Sequence, residues 1–160
     1  MNLQEELKAL KERIDELEEQ AKEEYVKGEQ AFPQGGDDYC FVDAEGNVVF
    51  TTYTEYHDDK RKMEIGNIFR TKEEAEFAAE KLRVEAELRK YSKPFKEDDD
   101  NCFIQINSSH NNIVIDNDEC YQTQGTIYFK NRFEAHDAIE TVGEDRIKKY
   151  IFGVEDLIND

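Results

Sequence analysis

Leu3, Leu7, Leu10, Ile14, Leu17 and Ala21 stand 4, 3, 4, 3 and 4 residues apart. That spacing restricts the segment to a helix with one apolar seam, the pattern of a coiled coil. With Leu3, Leu10 and Leu17 at d and Leu7, Ile14 and Ala21 at a, the flanking g positions are Glu6, Arg13 and Gln20, and the e positions Gln4, Lys11 and Glu18. In a parallel pair each g residue faces the e residue of the next heptad on the partner helix, which sets Glu6 against Lys11 and Arg13 against Glu18. Both pairs attract, so residues 1–30 are expected to form a coiled-coil helix joining two copies of the chain as a parallel homodimer. A single amphipathic helix folded back on the rest of the chain is the alternative. Three heptads are few, and pairing through them needs help from the globular part.

Gly28, Pro33 and the Gly35-Gly36 pair close this helix and make a short linker. Beyond them the period changes, and residues 37–160 are expected to form an α+β domain. Tyr39 to Val42 and Val48 to Tyr56, around Ala44-Glu45-Gly46-Asn47, predict a β-hairpin, and Ile65 to Phe69 a third strand. Thr71 and Glu74 are spaced as a capping box, opening a helix that ends before Ser92-Lys93-Pro94. The order then recurs: a hairpin from Cys102 to Asp116, a strand from Gly125 to Phe129, and a helix opened by Asn131 and Glu134. Superposing Phe69 on Phe129 matches Thr71 with Asn131, Glu74 with Glu134, Ala75 with Ala135 and Ala78 with Ala138, and puts Cys40 and Cys102 at similar offsets. This predicts two ββ-β-α repeats, about 37–93 and about 100–143, followed by a short C-terminal helix over 144–152.

Acids outnumber bases 39 to 21 in the 160 residues, for a net charge of −18, and the excess appears in every segment: 10 to 5 in residues 1–30, 8 to 4 in 31–70, 10 to 7 in 71–100, and 11 to 5 in 101–160. Such a surface repels phosphate backbones and attracts basic surfaces, including the nucleic-acid grooves of other proteins; serving solubility alone is the other reading. Direct nucleic-acid binding is therefore disfavoured. Ten Phe and eight Tyr are too many aromatics for a disordered acidic tail. Cys40, Cys102 and Cys120 form no CxxC pair and read as reduced, mostly buried thiols; with no basic and apolar leader and no membrane-length apolar run, a cytoplasmic location is expected.

No catalytic constellation and no cofactor motif emerges. His57, His110 and His136 are far apart, and a zinc site from Cys102, His110 and Cys120 lacks a short-spaced thiol pair. His57-Asp58-Asp59 reads as a solvated turn. Gly125 to Phe129 with Ala135, Ala138 and Ile139 superficially resembles part of an RNA-recognition motif, but that module stacks bases beside basic side chains, which this acidic chain does not offer. On the first domain helix, Ala75, Ala78, Ala79, Leu82 and Ala86 share a small-residue face suited to a sheet, and Phe77, Val84, Leu88 and Tyr91 lie nearly opposite. Between them runs an acidic stripe of Glu73, Glu76, Glu80 and Glu87, spanning roughly 21 Å. A helix apolar on two sides needs two neighbours, so the Phe77 face meets another part of the chain, another subunit or a target. Glu73, Glu76, Glu80, Glu87 and Phe77 are the candidate target-binding residues, the stripe being either a solvated face or an imitation of a phosphate row.

The runs Ile65-Gly66-Asn67-Ile68-Phe69-Arg70-Thr71-Lys72-Glu73-Glu74-Ala75-Glu76 and Gly143 to Glu155, behind an acidic heptad helix, resemble small proteins encoded by phages and prophages of Gram-positive bacteria. The resemblance implies a setting in an infected or lysogenic host, where small acidic proteins without catalytic motifs often inhibit defence systems, anti-CRISPR proteins among them. The expectation is a non-enzymatic, phage-encoded inhibitor of a host nuclease, such as a CRISPR effector, that binds a basic nucleic-acid groove as a nucleic-acid mimic. The alternative is a structural or assembly adaptor whose coiled coil does the joining.

Overall fold

The computed structural model describes residues 3–28 and 31–154, with side chains over 6–18 and 31–154. Within them the chain is α+β, with five helices and two antiparallel sheets. The leucine-rich segment forms one helix, α1, Leu3–Gly28. Leu7, Leu10, Ile14 and Leu17 remain 49–63% exposed along it, while the Leu3 and Ala21 side chains lie outside the described residues. Lys8 and Glu12, and Arg13 and Glu16, pair along its surface.

The first sheet is the hairpin β1 (Asp38–Val42) and β2 (Val48–Thr52). Its turn is built by the Asp43 carboxylate, which accepts the N–H groups of Glu45 and Asn47 at 2.9 and 2.8 Å. Two expectations need correcting here. The second strand ends at Thr52, not Tyr56, and residues 57–59 open a helix, α2 (His57–Glu64), in place of a solvated turn. The physical reason is Asp59, which is buried: its carboxylate takes the Thr54 N–H and hydroxyl and the Tyr39 phenol, ending the strand and seating a polar helix on the sheet.

Ile65 to Phe69 does not form a strand either. Phe69 makes one isolated bridge to Cys40, exchanging both backbone bonds at 2.9 Å. At the next outward position of β1 the Asn67 side chain takes the place of a strand, donating to the Val42 carbonyl at 2.8 Å and accepting its N–H at 2.9 Å.

Helix α3 (Lys72–Arg89) starts at the predicted capping box: Thr71 accepts the Glu74 N–H, and the Glu74 carboxylate reaches back to the Thr71 N–H. Its two apolar sides are used at different ends. Ala75 and Ala79 are buried in the N-terminal half, near the first sheet, whereas Val84 and Leu88 are fully buried in the C-terminal half, on the opposite side. Leu82 and Ala86, expected to join the small-residue face, are exposed, because the first sheet does not extend beneath the C-terminal half.

The second sheet has the order β3-β6-β4-β5, with β3 Ser92–Lys93, β4 Asn101–Asn107, β5 Asn112–Asp118 and β6 Tyr128–Phe129. The strand expected from Gly125 shrinks to two residues because a turn occupies the preceding segment, with the Thr123 N–H donating to the Tyr128 phenol at 2.7 Å. Asn101, fully buried, donates to the carbonyls of Lys96, Asp99 and Asp118 and ties this sheet to the loop before it. Helix α4 (Arg132–Val142) opens with Asn131 accepting the Glu134 N–H, as the spacing predicts. Gly143 then turns the chain at φ +98°, a conformation that favours glycine, into α5 (Glu144–Tyr150). Val84 and Leu88 of α3 close the main core with Cys102, Phe129, Ala138 and Ile147.

A candidate protein-binding groove

Helix α3 carries the candidate residues, and the elements around it turn part of its surface into a groove of about 700 Å³. One wall is the β1–β2 turn at Gly46 to Val48; the other is the end of α5 at Lys149 and Tyr150. Glu73, Glu76, Phe77 and Glu80 all line it. The helical spacing is what brings these four to one side.

Phe77 does not stand open. Its ring packs against Tyr150 with centroids 5.2 Å apart, so the second apolar side of α3 is met within the chain, by Tyr150 here and by the core further on. It keeps 39% of its surface exposed at the groove.

The acidic stripe is interleaved with bases. Lys72 pairs with Glu76 at 3.0 Å, and Arg83 pairs with Glu80. Arg146 of α5 forks onto Glu87 at 3.0 and 3.1 Å and comes within 3.7 Å of Glu80. The Arg146 hydrogen bonds hold the Glu87 carboxyl below the usual carboxylate range. Glu87 is therefore a tie between α3 and α5, outside the groove, and Glu80 is shared between two guanidinium groups. Glu73 and Glu76, at the N-terminal end, are the acids most open to a partner.

Arg83 is itself positioned by the hairpin turn, donating to the Gly46 carbonyl at 2.9 Å. Gly46 has φ +83°, a conformation that favours glycine, and a Cβ there would come within 2.7 Å of the Arg83 guanidinium, which would have to shift. The sequence marked Gly46 as a turn residue but gave no sign of this long-range contact, nor of Arg146 as the base that neutralises the far end of the stripe.

Among the described residues no group of His, Cys, Asp and Glu is placed to hold a metal ion. Cys102 is fully buried, Cys120 is exposed, and His110 contacts Asn107 in the β4–β5 turn. Burial pushes the Cys40 and Cys102 thiols up, and nearby carboxylates add to it, Glu73 and Glu74 at Cys40 and Asp100 at Cys102. Neither thiol is poised as a thiolate. No described helix is long and apolar enough to cross a membrane. No protein family, curated protein or solved structure matches the chain.

Proposed function

We infer that the chain is a non-catalytic binding protein that pairs through α1 and uses its acidic surface to occupy a basic, nucleic-acid-binding surface on another protein. In the setting implied by the sequence resemblance, this is a phage-encoded inhibitor of a host defence nuclease of the CRISPR effector type. The observation that carries the reading is the acidic excess in every segment of the chain, −18 in all, which draws basic surfaces and repels nucleic acid itself. On α3 the contacts centre on Glu73, Phe77 and Glu76, the last in an exposed pair with Lys72, while Glu80 and Glu87 are committed to Arg83 and Arg146.

Pairing through α1 as a parallel coiled coil is supported by Leu7, Leu10, Ile14 and Leu17, each about half exposed or more in the single chain. A row of leucines left in water at heptad spacing gains by meeting its own copy. The globular part is read as two ββ-β-α units. The support is that Cys40 faces Phe69 and Cys102 faces Phe129, each phenylalanine standing just before a capped helix. Helix α2 is then an addition to the first unit.

The exposed α1 seam also favours a second reading, an assembly adaptor in which the coiled coil does the joining. Removal of residues 1–30 separates the two. An inhibitor keeps measurable activity as a monomer; an adaptor loses all of it. The inhibitor is tested by pull-down from a bacterial lysate with an active CRISPR system, followed by cleavage assays with the recovered nuclease. Release of the nuclease by salt or competing nucleic acid, and inhibition that weakens as salt rises, are expected. Recovery of no nuclease, or salt-insensitive inhibition, removes the reading.

A further inference from the structure

The sheet edges of this protein are treated unequally. The outer side of β1 is closed by Phe69, which pairs with Cys40, and by the Asn67 side chain, which satisfies Val42. The outer side of β5 is closed by Arg132, donating to the Ile115 carbonyl at 3.0 Å, and by Glu144, accepting the Ile113 N–H at 3.4 Å. Strand β3 is two residues long. The β2 edge has no such cover among the described residues.

The register shows which groups are left over. Phe50 lies opposite Cys40 and Val48 opposite Val42, and the backbone groups of both β1 residues point away from β2. In an antiparallel ladder the partners of such residues also point their N–H and C=O outward. Thr52 follows with the same parity, since its neighbour Tyr53 donates to the Asp37 carbonyl and accepts from Gly36. Val48, Phe50 and Thr52 thus present a row of unpaired donors and acceptors. Residues 48–54, Val-Val-Phe-Thr-Thr-Tyr-Thr, contain no charge and no proline, the devices that usually blunt an edge. Phe50 is 64% exposed beside it.

We propose that the β2 edge is a strand-addition site for an extended segment of a partner protein with an uncharged, β-prone centre and basic flanks. The charges choose this occupant over a second copy. Asp43 and Glu45 sit at the turn end of β2, and Asp37, Asp38 and Glu55 at the other. Basic flanks meet acids at both ends. Two copies of β2 paired antiparallel about Phe50 would set Glu45 of each opposite Glu55 of the other, with Asp43, Asp37 and Asp38 adding like charge at the same ends, and facing like charges destabilise. Val48 and the turn also line the α3 groove, so a strand on β2 continues the same surface. The main-chain bonds supply affinity and the flanks supply selection. This inference rests on the acidic-binding reading above and adds its binding mode.

The test uses the full chain and two synthetic peptides of equal charge, each flanked by lysine pairs. One has an alternating Val/Thr centre; the other carries proline in that centre and cannot pair as a strand. The protein variant is Phe50→Pro, which deletes an outward N–H and leaves the β1–β2 bonds in place. The wild-type protein is expected to bind the Val/Thr peptide roughly 30- to 150-fold tighter than the proline peptide, as the loss of two or three net hydrogen bonds implies. Hydrogen exchange at the Val48, Phe50 and Thr52 amides should slow on binding, a readout in the wild-type protein that does not depend on how the variant folds. Phe50→Pro should erase the preference. Equal, salt-sensitive binding of both peptides overturns strand addition but leaves the acidic reading standing; binding of neither overturns both. A self-association that Phe50→Pro abolishes gives the edge to a second copy and also overturns the proposal.

Discussion

The Tyr39 phenol donates to the Asp59 carboxylate at 2.6 Å, joining β1 to α2 across 20 residues of sequence. The Thr54 N–H and hydroxyl occupy the other carboxylate oxygen at 2.8 and 2.7 Å, and Lys62 stands 3.8 Å away. These hydrogen bonds, Tyr39 first, pull the Asp59 carboxyl down to about 2, while burial with Asp59 alongside pushes the Tyr39 phenol up. A carboxyl depressed on folding stabilises the fold above its unfolded value, and that share is lost as pH falls through the folded value. Asp59 should therefore contribute on the order of 2 kcal/mol near neutral pH, lost progressively between about pH 4 and pH 2. Asp59→Asn should lower the urea midpoint at pH 7 and flatten this part of the acid titration, as read by circular dichroism.

Arg146 and Glu87 offer a separate check on how α5 is held to α3. Both side chains are over a third exposed, so water screens the pair despite its forked geometry. A double-mutant cycle with Arg146→Ala and Glu87→Ala, followed by thermal melting, should give a coupling of about 1 kcal/mol. A coupling near zero would make the tie incidental.

The α1 seam makes a prediction in the opposite sense. Leu10→Glu with Ile14→Glu places charge at a and d, and sedimentation should show a monomer where the wild-type chain gives a pair. The unfolding midpoint of the globular part should hardly move, because both side chains are more than half exposed in the single chain.

Phe69 and Phe129 occupy matching places but not matching environments. Phe129 is fully buried in the main core, while Phe69 is only partly buried. Phe129→Ala should cost about 3–5 kcal/mol in chemical denaturation, and Phe69→Ala clearly less. Equal costs would mean that the first sheet has a core as deep as the second.

What the sequence determined by itself was local. Heptad spacing is a property of one helix, and α1 follows from it; the Thr71–Glu74 and Asn131–Glu134 spacings close caps within one turn, and α3 and α4 begin where they predict. The two hairpins were legible for the same reason, since alternation and a turn signal are short-range. Four of the five candidate α3 residues meet in one groove because helical periodicity already placed them on one side. Tertiary structure decided the rest. Residues 57–64 carry little apolar periodicity and become α2 because the distant Tyr39, together with nearby Thr54, receives Asp59. Ile65 to Phe69 looks like a strand, yet only Phe69 pairs as one, with the Asn67 side chain taking the other position. The stripe on α3 was visible as four glutamates, and helical spacing already pairs Lys72 with Glu76 and Arg83 with Glu80, but the tie of Glu87 and the second base at Glu80 come from Arg146 of α5, whose approach no spacing on α3 encodes. Charge and its local pairing are written in the sequence; the rest of its compensation is decided by which distant side chains the fold brings within hydrogen-bonding reach.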